Sequence, residues 1–234
     1  MKKRLMTMAL AGMLPLAAQA GMEDDPTLVK VMIDQMEIRS TDGPNPFVLE
    51  ADAWIGKDLN KAWFKLSGER VDGEWEALDV EARYSRAIDT YWDLQIGLRH
   101  DARPSNETRD WLAVGIRGLA PYFFDIDSSV YVNKDGRVGL NFQAEYEMLF
   151  TQKLILTPEI TADFFSKSDK DLDSGSGLAS TEMGLRLRYE IRREFAPYIG
   201  VNWEKSYGQT ADLRKAAGEK TDDVQIVAGI RIWF

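Results

Sequence analysis

The C-terminal segment of the chain alternates apolar and polar side chains residue by residue up to Phe234. A period of two is typical of a β-strand, because successive side chains of a strand point to opposite faces. One face of this segment is continuously apolar, whereas the other carries Gln225 and Arg231. The segment therefore predicts a strand with one face against an apolar surrounding. The apolar face consists of Val224, Ile226, Ala228, Ile230, Ile232 and Phe234.

The same alternation recurs along the chain in segments of about ten residues. A soluble β-sandwich would also produce such strands, and its charged faces would then meet water. Repetition at this length, with formal charges in mid-strand, favours a transmembrane β-barrel, whose strands carry an apolar outer face and a polar lumen face. Ten such segments lie near 60–70, 78–85, 92–99, 109–119, 121–132, 138–148, 154–164, 182–191, 196–206 and 224–234.

The N-terminus has the pattern of a secretory signal peptide. A basic start at Lys2–Arg4 precedes an apolar run that ends in Ala18-Gln19-Ala20, a small-x-small cleavage pattern. We expect residues 1–20 to be a signal peptide, 21–27 a short periplasmic N-terminus, and 28–234 an outer-membrane β-barrel. No later apolar run approaches the roughly 20 residues of a transmembrane helix, so a membrane location requires strands.

Two further N-terminal segments decide the number of strands. Residues 47–56 alternate clearly, but Leu28–Arg39 alternates less well, because Asp34 falls on the same face as Met36 and Ile38. An even number of strands with both chain ends in the periplasm favours twelve strands, the first of them Leu28–Arg39. The alternative is ten strands with an N-terminal plug.

Local features carry further expectations. The longest connections, Ser166–Leu178 and Tyr207–Asp222, have the polar composition of solvated loops. Pro158 lies inside a predicted strand. Because proline has no backbone N–H to donate to a neighbouring strand, and a closed barrel has no free edge, this position suggests a bulge. Aromatic residues that include Tyr84 and Tyr198 predict a girdle at the periplasmic rim.

The predicted lumen face is rich in charge, with fifteen acidic and seven basic side chains. Two interpretations stay open. Either the charges pair into a salt-bridged plug that fills a small barrel, or the excess of carboxylates forms a pathway that admits cations. The densest predicted acidic patch consists of Asp125, Asp127, Glu145, Glu147, Glu159 and Asp163.

The remaining residue chemistry is sparse. The chain has no cysteine and one histidine, and it carries no recognisable catalytic motif, so we expect no enzymatic activity. The candidates for metal ligation are His100 and the two thioethers Met32 and Met36, which are four residues apart. The formal net charge of −9 argues against a nucleic-acid partner.

Several stretches of the chain resemble the outer-membrane copper resistance protein B family. The resemblance implies an outer-membrane barrel that serves copper resistance, with outer-membrane lipid, copper ions and periplasmic copper-handling proteins as partners. Family members commonly carry a long Met- and His-rich N-terminal segment, whereas only the seven residues from Gly21 to Thr27 lie between the predicted signal peptide and the first predicted strand here. We therefore transfer no ligand residues from the family. The matching stretches are Asp52–Arg70, Tyr84–Asp101, Gly118–Ile160, Ser176–Glu219 and Val227–Phe234.

Together these features predict a barrel component for copper handling or efflux. The alternative function is a structural outer-membrane barrel whose salt-bridged lumen conducts nothing.

Overall fold

The structure is a computed structural model that describes residues 25–103, 108–170 and 174–234. The predicted signal peptide, residues 1–20, lies outside the described residues. The chain forms thirteen strands and one α-helix: β1 (Leu28–Ser40), β2 (Phe47–Gly56), β3 (Asn60–Val71), β4 (Glu74–Asp89), β5 (Trp92–Ala102), β6 (Arg109–Ala120), β7 (Phe124–Asn133), β8 (Val138–Glu145), β9 (Met148–Leu149), β10 (Leu154–Phe165), β11 (Gly177–Tyr189), β12 (Phe195–Ser206), α1 (Gly208–Ala217) and β13 (Asp222–Trp233).

The strands close into a twelve-stranded antiparallel barrel. Each long strand pairs with its neighbours along the chain, and β1 pairs with both β2 and β13 to complete the ring. The thirteenth strand, β9, is two residues long and pairs only with β10. The prediction of twelve strands is therefore confirmed. An N-terminal plug is excluded, because Leu28–Ser40 is hydrogen-bonded into the barrel wall on both sides.

A β-bulge explains why the first strand alternates poorly. The register of β1 against both neighbours shifts between Ile33 and Met36. The extra residue reverses the side-chain parity at that point, as a bulge must. Met32 lies on the lumen face before the bulge, whereas Gln35 and Glu37 lie on it afterwards.

Pro158 interrupts one wall without inserting a residue. Glu145 opposes Glu159 before the interruption and Met148 opposes Leu156 after it, so the register is unchanged. Tyr146 donates its backbone N–H to the Pro158 carbonyl oxygen at 3.1 Å, but proline has no N–H to return. The bulge that the sequence suggested at Pro158 is therefore wrong. The ladder lacks one bond, and Tyr146 and Glu147 fall between β8 and β9.

The two ends of the barrel differ in their connections. One rim carries the start of β1, the end of β13 and compact turns, and by the rule that short turns face the periplasm we call it the periplasmic rim. The other rim, called outer below, carries the longest connections. The segment predicted as a plain loop at Tyr207–Asp222 contains helix α1, which ends where Gly218 adopts a positive φ of 81°. Among the residues that the structure describes, no helix has the length and apolar composition needed to cross a membrane.

The outward face of the strands is apolar, as the alternation predicts. Exposed side chains on it include Leu98, Ile199 and Ile226, at 66%, 64% and 69% exposure. Most of the predicted girdle, Tyr84 included, is also exposed. Tyr198 is an exception: it is only 6% exposed and lies in the lumen. Its place in the girdle was wrongly predicted, because its parity in β12 puts it on the polar face with Asn202.

Two leucines of equal exposure test whether the outward face meets lipid. Leu98 lies in β5 and Leu59 in the turn before β3, at 66% and 63% exposure. We expect Leu98→Arg to lower the free energy of unfolding by about 2–4 kcal/mol and Leu59→Arg by about 0–1 kcal/mol, because only the former puts a charge inside the bilayer. Urea unfolding of protein folded in phospholipid vesicles measures both. Equal losses would contradict a lipid-facing β5.

Candidate ion pathway

The lumen contains a cavity of about 560 Å³ that reaches the periplasmic rim at Phe123. Eleven carboxylate side chains and five Lys or Arg side chains line it among the described residues. An acidic excess of this size attracts cations and repels anions, because the wall on which the charges lie has a low dielectric constant. By formal charge, the lining therefore carries six more acidic than basic side chains, eleven against five.

Five residues of the predicted acidic patch line this cavity, and the sixth does not. Three of the six form a row across adjacent strands, since Asp125 lies opposite Glu145 and Glu145 opposite Glu159. Glu159 is the residue that lies outside the cavity lining, because Arg186 and two glutamines enclose it. The lining residues of the patch are Asp125, Asp127, Glu145, Glu147 and Asp163.

Three carboxylates of the patch are neutralised by close cations. Lys65 Nζ lies 2.5 Å from Asp127 Oδ2. Arg188 Nη2 lies 2.6 Å from Glu147 Oε1, and Arg186 Nη1 lies 2.9 Å from Glu159 Oε2. These pairs cross the lumen or join neighbouring strands, and they lower the net negative charge of the lumen face.

The other three carboxylates have no cation within 3.5 Å among the described residues. Asp163 accepts hydrogen bonds only from the neutral groups of Asn141 and Ser180. Glu145 has Arg231 as its nearest cation, at 3.9 Å. Asp125 has no ion pair within 4 Å in the described part of the chain, and neither does Glu50, which lines the same cavity from β2. These four residues, Glu50, Asp125, Glu145 and Asp163, are called the open carboxylates below.

A buried cluster around Glu37 forms the wall beside the open carboxylates. The Glu37 side chain is fully buried and accepts two hydrogen bonds from Arg186, at 2.9 Å each. Arg39 and the Tyr198 hydroxyl also donate to it, at 2.8 and 2.9 Å. Sequence reasoning missed Glu37, Gln35 and Arg39 as lumen residues because the bulge in β1 reverses their parity.

The opposite wall is held by a second charged cluster, centred on two arginines. Arg83 pairs with Glu81 and donates to the Tyr131 hydroxyl at 2.8 Å. Arg99 lies between Asp79 and Asp101, at 2.9 and 2.5 Å, and its guanidinium carbon is 4.8 Å from the Tyr131 ring centroid. Since each guanidinium group has several acceptors, the charged side chains of this wall stabilise one another.

Near the outer rim, aromatic rings pack against the inner wall. Trp111 is 3% exposed and donates its indole N–H to Asp101 at 2.8 Å. The Arg137 guanidinium carbon lies 4.2 Å from the Phe165 ring centroid and 5.7 Å from that of Trp111. Arg137 also donates to Ser174 at 2.5 Å, which ties two outer connections together.

The candidate metal ligands do not come together. Met32 and Met36 lie on opposite faces of β1, because the bulge between them reverses the parity, so the two thioethers do not face the same space. His100 lies on the outward face, with its Nδ1 2.6 Å from Asp110 Oδ1. Within the three described ranges, no group of three or more His, Cys, Asp or Glu residues is arranged to hold a metal ion.

Comparisons with known proteins agree on one family. The family described as Copper resistance protein B precursor (CopB) matches residues 27–234. Copper resistance protein B of Escherichia coli is 45% identical over 204 residues, which cover 87% of this chain and 69% of that protein. The Copper resistance protein B homolog of Pseudomonas syringae pv. tomato is 35% identical over 201 residues, 86% of this chain and 68% of that protein.

Solved structures share the architecture at low identity. The NanC porin superposes with a TM-score of 0.57 at 14% identity, covering 88% of this chain and 99% of the porin. The KdgM porin gives 0.54 at 12% identity, again over 88% and 99%. These likenesses concern the fold alone, and they place the chain among outer-membrane barrels.

The Glu37 cluster allows a test of how the lumen is held together. In Glu37→Gln the buried guanidinium groups of Arg186 and Arg39 lose their shared counter-charge, and we expect the free energy of unfolding to fall by about 3–5 kcal/mol. The measurement is urea unfolding in lipid vesicles.

A surface carboxylate provides the control for this substitution. The exposed Asp42 pairs with Lys220 between two outer connections, and this pairing lowers the pKa of the Asp42 carboxyl. We expect Asp42→Asn to leave the unfolding midpoint unchanged, because solvent screens the pair. A Glu37→Gln variant as stable as Asp42→Asn would contradict a structural role for the buried cluster.

Proposed function

Because this chain belongs to the copper resistance protein B family, we propose that its barrel is a cation pathway across the outer membrane through which copper ions are handled. The observation that carries the proposal is the set of open carboxylates in a cavity lined by eleven acids and five bases. Copper ions are the substrate in this proposal.

The chemistry of the lining favours passage over storage. Carboxylates are hard ligands, whereas cuprous copper prefers thioether and thiolate sulfur. Met32 is the methionine that lines the cavity. A path built from separated carboxylates attracts a cation and releases it again, as conduction requires.

A structural barrel with a non-conducting lumen is the second candidate. The two paired clusters, around Glu37 and around Arg83 and Arg99, favour it, because they fill much of the lumen with neutralised charge. It does not account for the open carboxylates, since a purely structural lumen has no need to leave acidic charge unbalanced. The experiment below separates the two candidates.

The charge of the lumen also argues against an anionic substrate. A structure of the KdgM porin is described in complex with oligogalacturonate, which is a polyanion. The cavity of this chain would repel such a chain of carboxylates, because its own lining has an excess of acids. We therefore propose that the shared fold carries a different selectivity here.

We further propose a role without catalysis, in contact with outer-membrane lipid and supplied by copper-handling proteins of the periplasm. His100 faces outward beside Asp110 and away from the cavity, which suits a surface residue better than a general base. The cavity opens at the rim with the short turns, which is where a periplasmic donor of copper ions would meet it.

The open carboxylates give a prediction about selectivity. A charge about 8 Å from a monovalent ion in water contributes about 0.5 kcal/mol. Each removed charge weakens both the attraction of potassium and the repulsion of chloride by this amount. We therefore expect the double variant Glu50→Gln/Asp125→Asn to lower the permeability ratio of potassium over chloride about thirtyfold, measured as the reversal potential in planar lipid bilayers. The matched control is Asp42→Asn/Asp110→Asn, which removes two carboxylates outside the lumen and should leave the ratio unchanged.

Two results would overturn the proposed function. One is a wild-type barrel that inserts into bilayers and conducts no ions. The other is a gene-deletion strain that tolerates copper as well as the parent strain does, and whose tolerance does not change when the wild-type chain is restored. Unaltered tolerance together with cation conductance would leave a channel whose cargo is not copper.

A further inference from the structure

Two cavities meet at the periplasmic end of the lumen. The larger is the acid-lined cavity already described, and the second measures about 260 Å³. They have four lining residues in common, Lys30, Met32, Glu147 and Arg231. These four side chains therefore form the partition between the cavities.

Arg231 is the centre of this partition, and its side chain is 18% exposed. Its Nε lies 2.7 Å from Asp34 Oδ1 on the neighbouring strand β1. Its Nη1 reaches Glu147 Oε1 at 3.2 Å, on the segment between β8 and β9. Since β13 and that segment are separated by three other strands, the pair bridges across the mouth of the barrel. Arg188 holds the same Glu147 oxygen at 2.6 Å.

The segment that carries Glu147 lacks a backbone hydrogen bond that the strands around it make. Tyr146 and Glu147 lie outside the strands, because Pro158 returns no hydrogen bond to Tyr146. On the other side β7 begins only at Phe124, and the residues before it form a turn with a positive φ at Tyr122 and Phe123. A short segment with few backbone hydrogen bonds moves more easily than the ladders around it.

The partition also separates opposite charges. The larger cavity has an excess of acids, whereas the smaller one is lined by four basic side chains and two acidic ones. The bridge between Glu147 and Arg231 holds an arginine against Asp34 and near Glu145, at 2.7 and 3.9 Å. Breaking the bridge would leave Arg231 paired with Asp34 but remove its link to the segment that carries Glu147.

We propose that Glu147 and Arg231 form a latch across the periplasmic mouth, with the gap in the ladder at Pro158 as its hinge. The latch limits the size of what enters the lumen. This inference deepens the proposed function, and it rests on that function for its biological meaning. The test below requires neither ion flow nor copper, so that its failure is distinguishable from failure of the proposed cation pathway.

The chain has no cysteine, which allows a single thiol to report on access. Thr161 lines the larger cavity, and we use Thr161→Cys as the reporter in purified protein in lipid nanodiscs. Two uncharged reagents of different size, N-ethylmaleimide and a bulky biotin maleimide, label it. Both reagents are uncharged, so the change of charge at residue 147 or 231 does not by itself attract or repel them and alter the labelling rate.

With the latch intact we expect the small reagent to react and the bulky one to react slowly. Glu147→Gln or Arg231→Gln should each speed labelling by the bulky reagent about tenfold, which corresponds to 1.4 kcal/mol, with little change for the small one. The double variant should be no faster than either single one, since the two residues act as one latch. If both reagents label the variants faster by the same factor, the barrel has loosened in general. If the bulky reagent labels the variants at the wild-type rate, Glu147 and Arg231 do not restrict the mouth. Either result overturns the proposal.

The hinge has its own variant. Pro158→Val supplies the missing N–H opposite Tyr146 and should draw the segment back into the sheet, which moves Glu147 away from Arg231. We expect faster labelling by the bulky reagent, in the same direction as Glu147→Gln. A rate equal to that of the wild type would overturn the hinge.

Two controls keep the comparison interpretable. Lys134→Cys places a thiol on an exposed outer turn, where all latch variants should label at the same rate. The shift in gel mobility between unheated and boiled samples reports whether each variant folds as a barrel. Because Glu147→Gln preserves side-chain shape, it tests the latch even if Arg231→Gln fails to fold.

Discussion

Closure of the sheet is the constraint on which the rest of this structure depends. In lipid no water satisfies an open strand edge, so the first and last strands must pair. They do so to the end of the chain: the backbone N–H of Val31 donates to the Phe234 carbonyl at 3.0 Å, and the N–H of Phe234 donates to Val31 at 2.9 Å. With the ring complete, every strand has one face in lipid and one in the lumen, and the sequence alternates for that reason.

The closed ring also constrains which side chains the lumen can hold. Its inner face must be polar, because the outer face already takes the apolar residues, and polar groups in a narrow space need partners. Glu37 and Arg186 supply each other with such partners on one wall, and Arg99 with its aspartates does so on the other. Charge pairing therefore replaces the hydrophobic core of a soluble domain. Carboxylates left without a close cation, such as Asp125, stand out against this background and carry the functional interpretation.

The alternation of apolar residues predicted the positions of the strands, and the rule of an even strand number then favoured twelve. The alternation could not locate the bulge in β1, because a one-residue insertion leaves no mark except a local conflict of parity at Asp34. Because the bulge reverses the side-chain parity, the sequence did not indicate that Glu37 faces the lumen, and it suggested that Met32 and Met36 share a face. Helix α1 was missed for a different reason, since its residues read as loop and only contacts with the barrel stabilise it; Thr210, for example, is buried and accepts the backbone N–H of Gly175.

The acidic patch was predicted by composition and resolved only by geometry. Parity places Asp127 and Asp125 on the same face, and nothing in the sequence indicates that Lys65, which lies on a distant strand, neutralises one and not the other. Pairing across a lumen depends on barrel diameter and strand stagger, which a linear pattern does not encode.

Pro158 is a similar case. From the sequence it looked like a defect in a strand, whereas in the barrel it releases the segment that carries Glu147 to the mouth. The missing hydrogen bond at Pro158 therefore places local freedom beside Glu147, an acid that Arg188 and Arg231 hold at once.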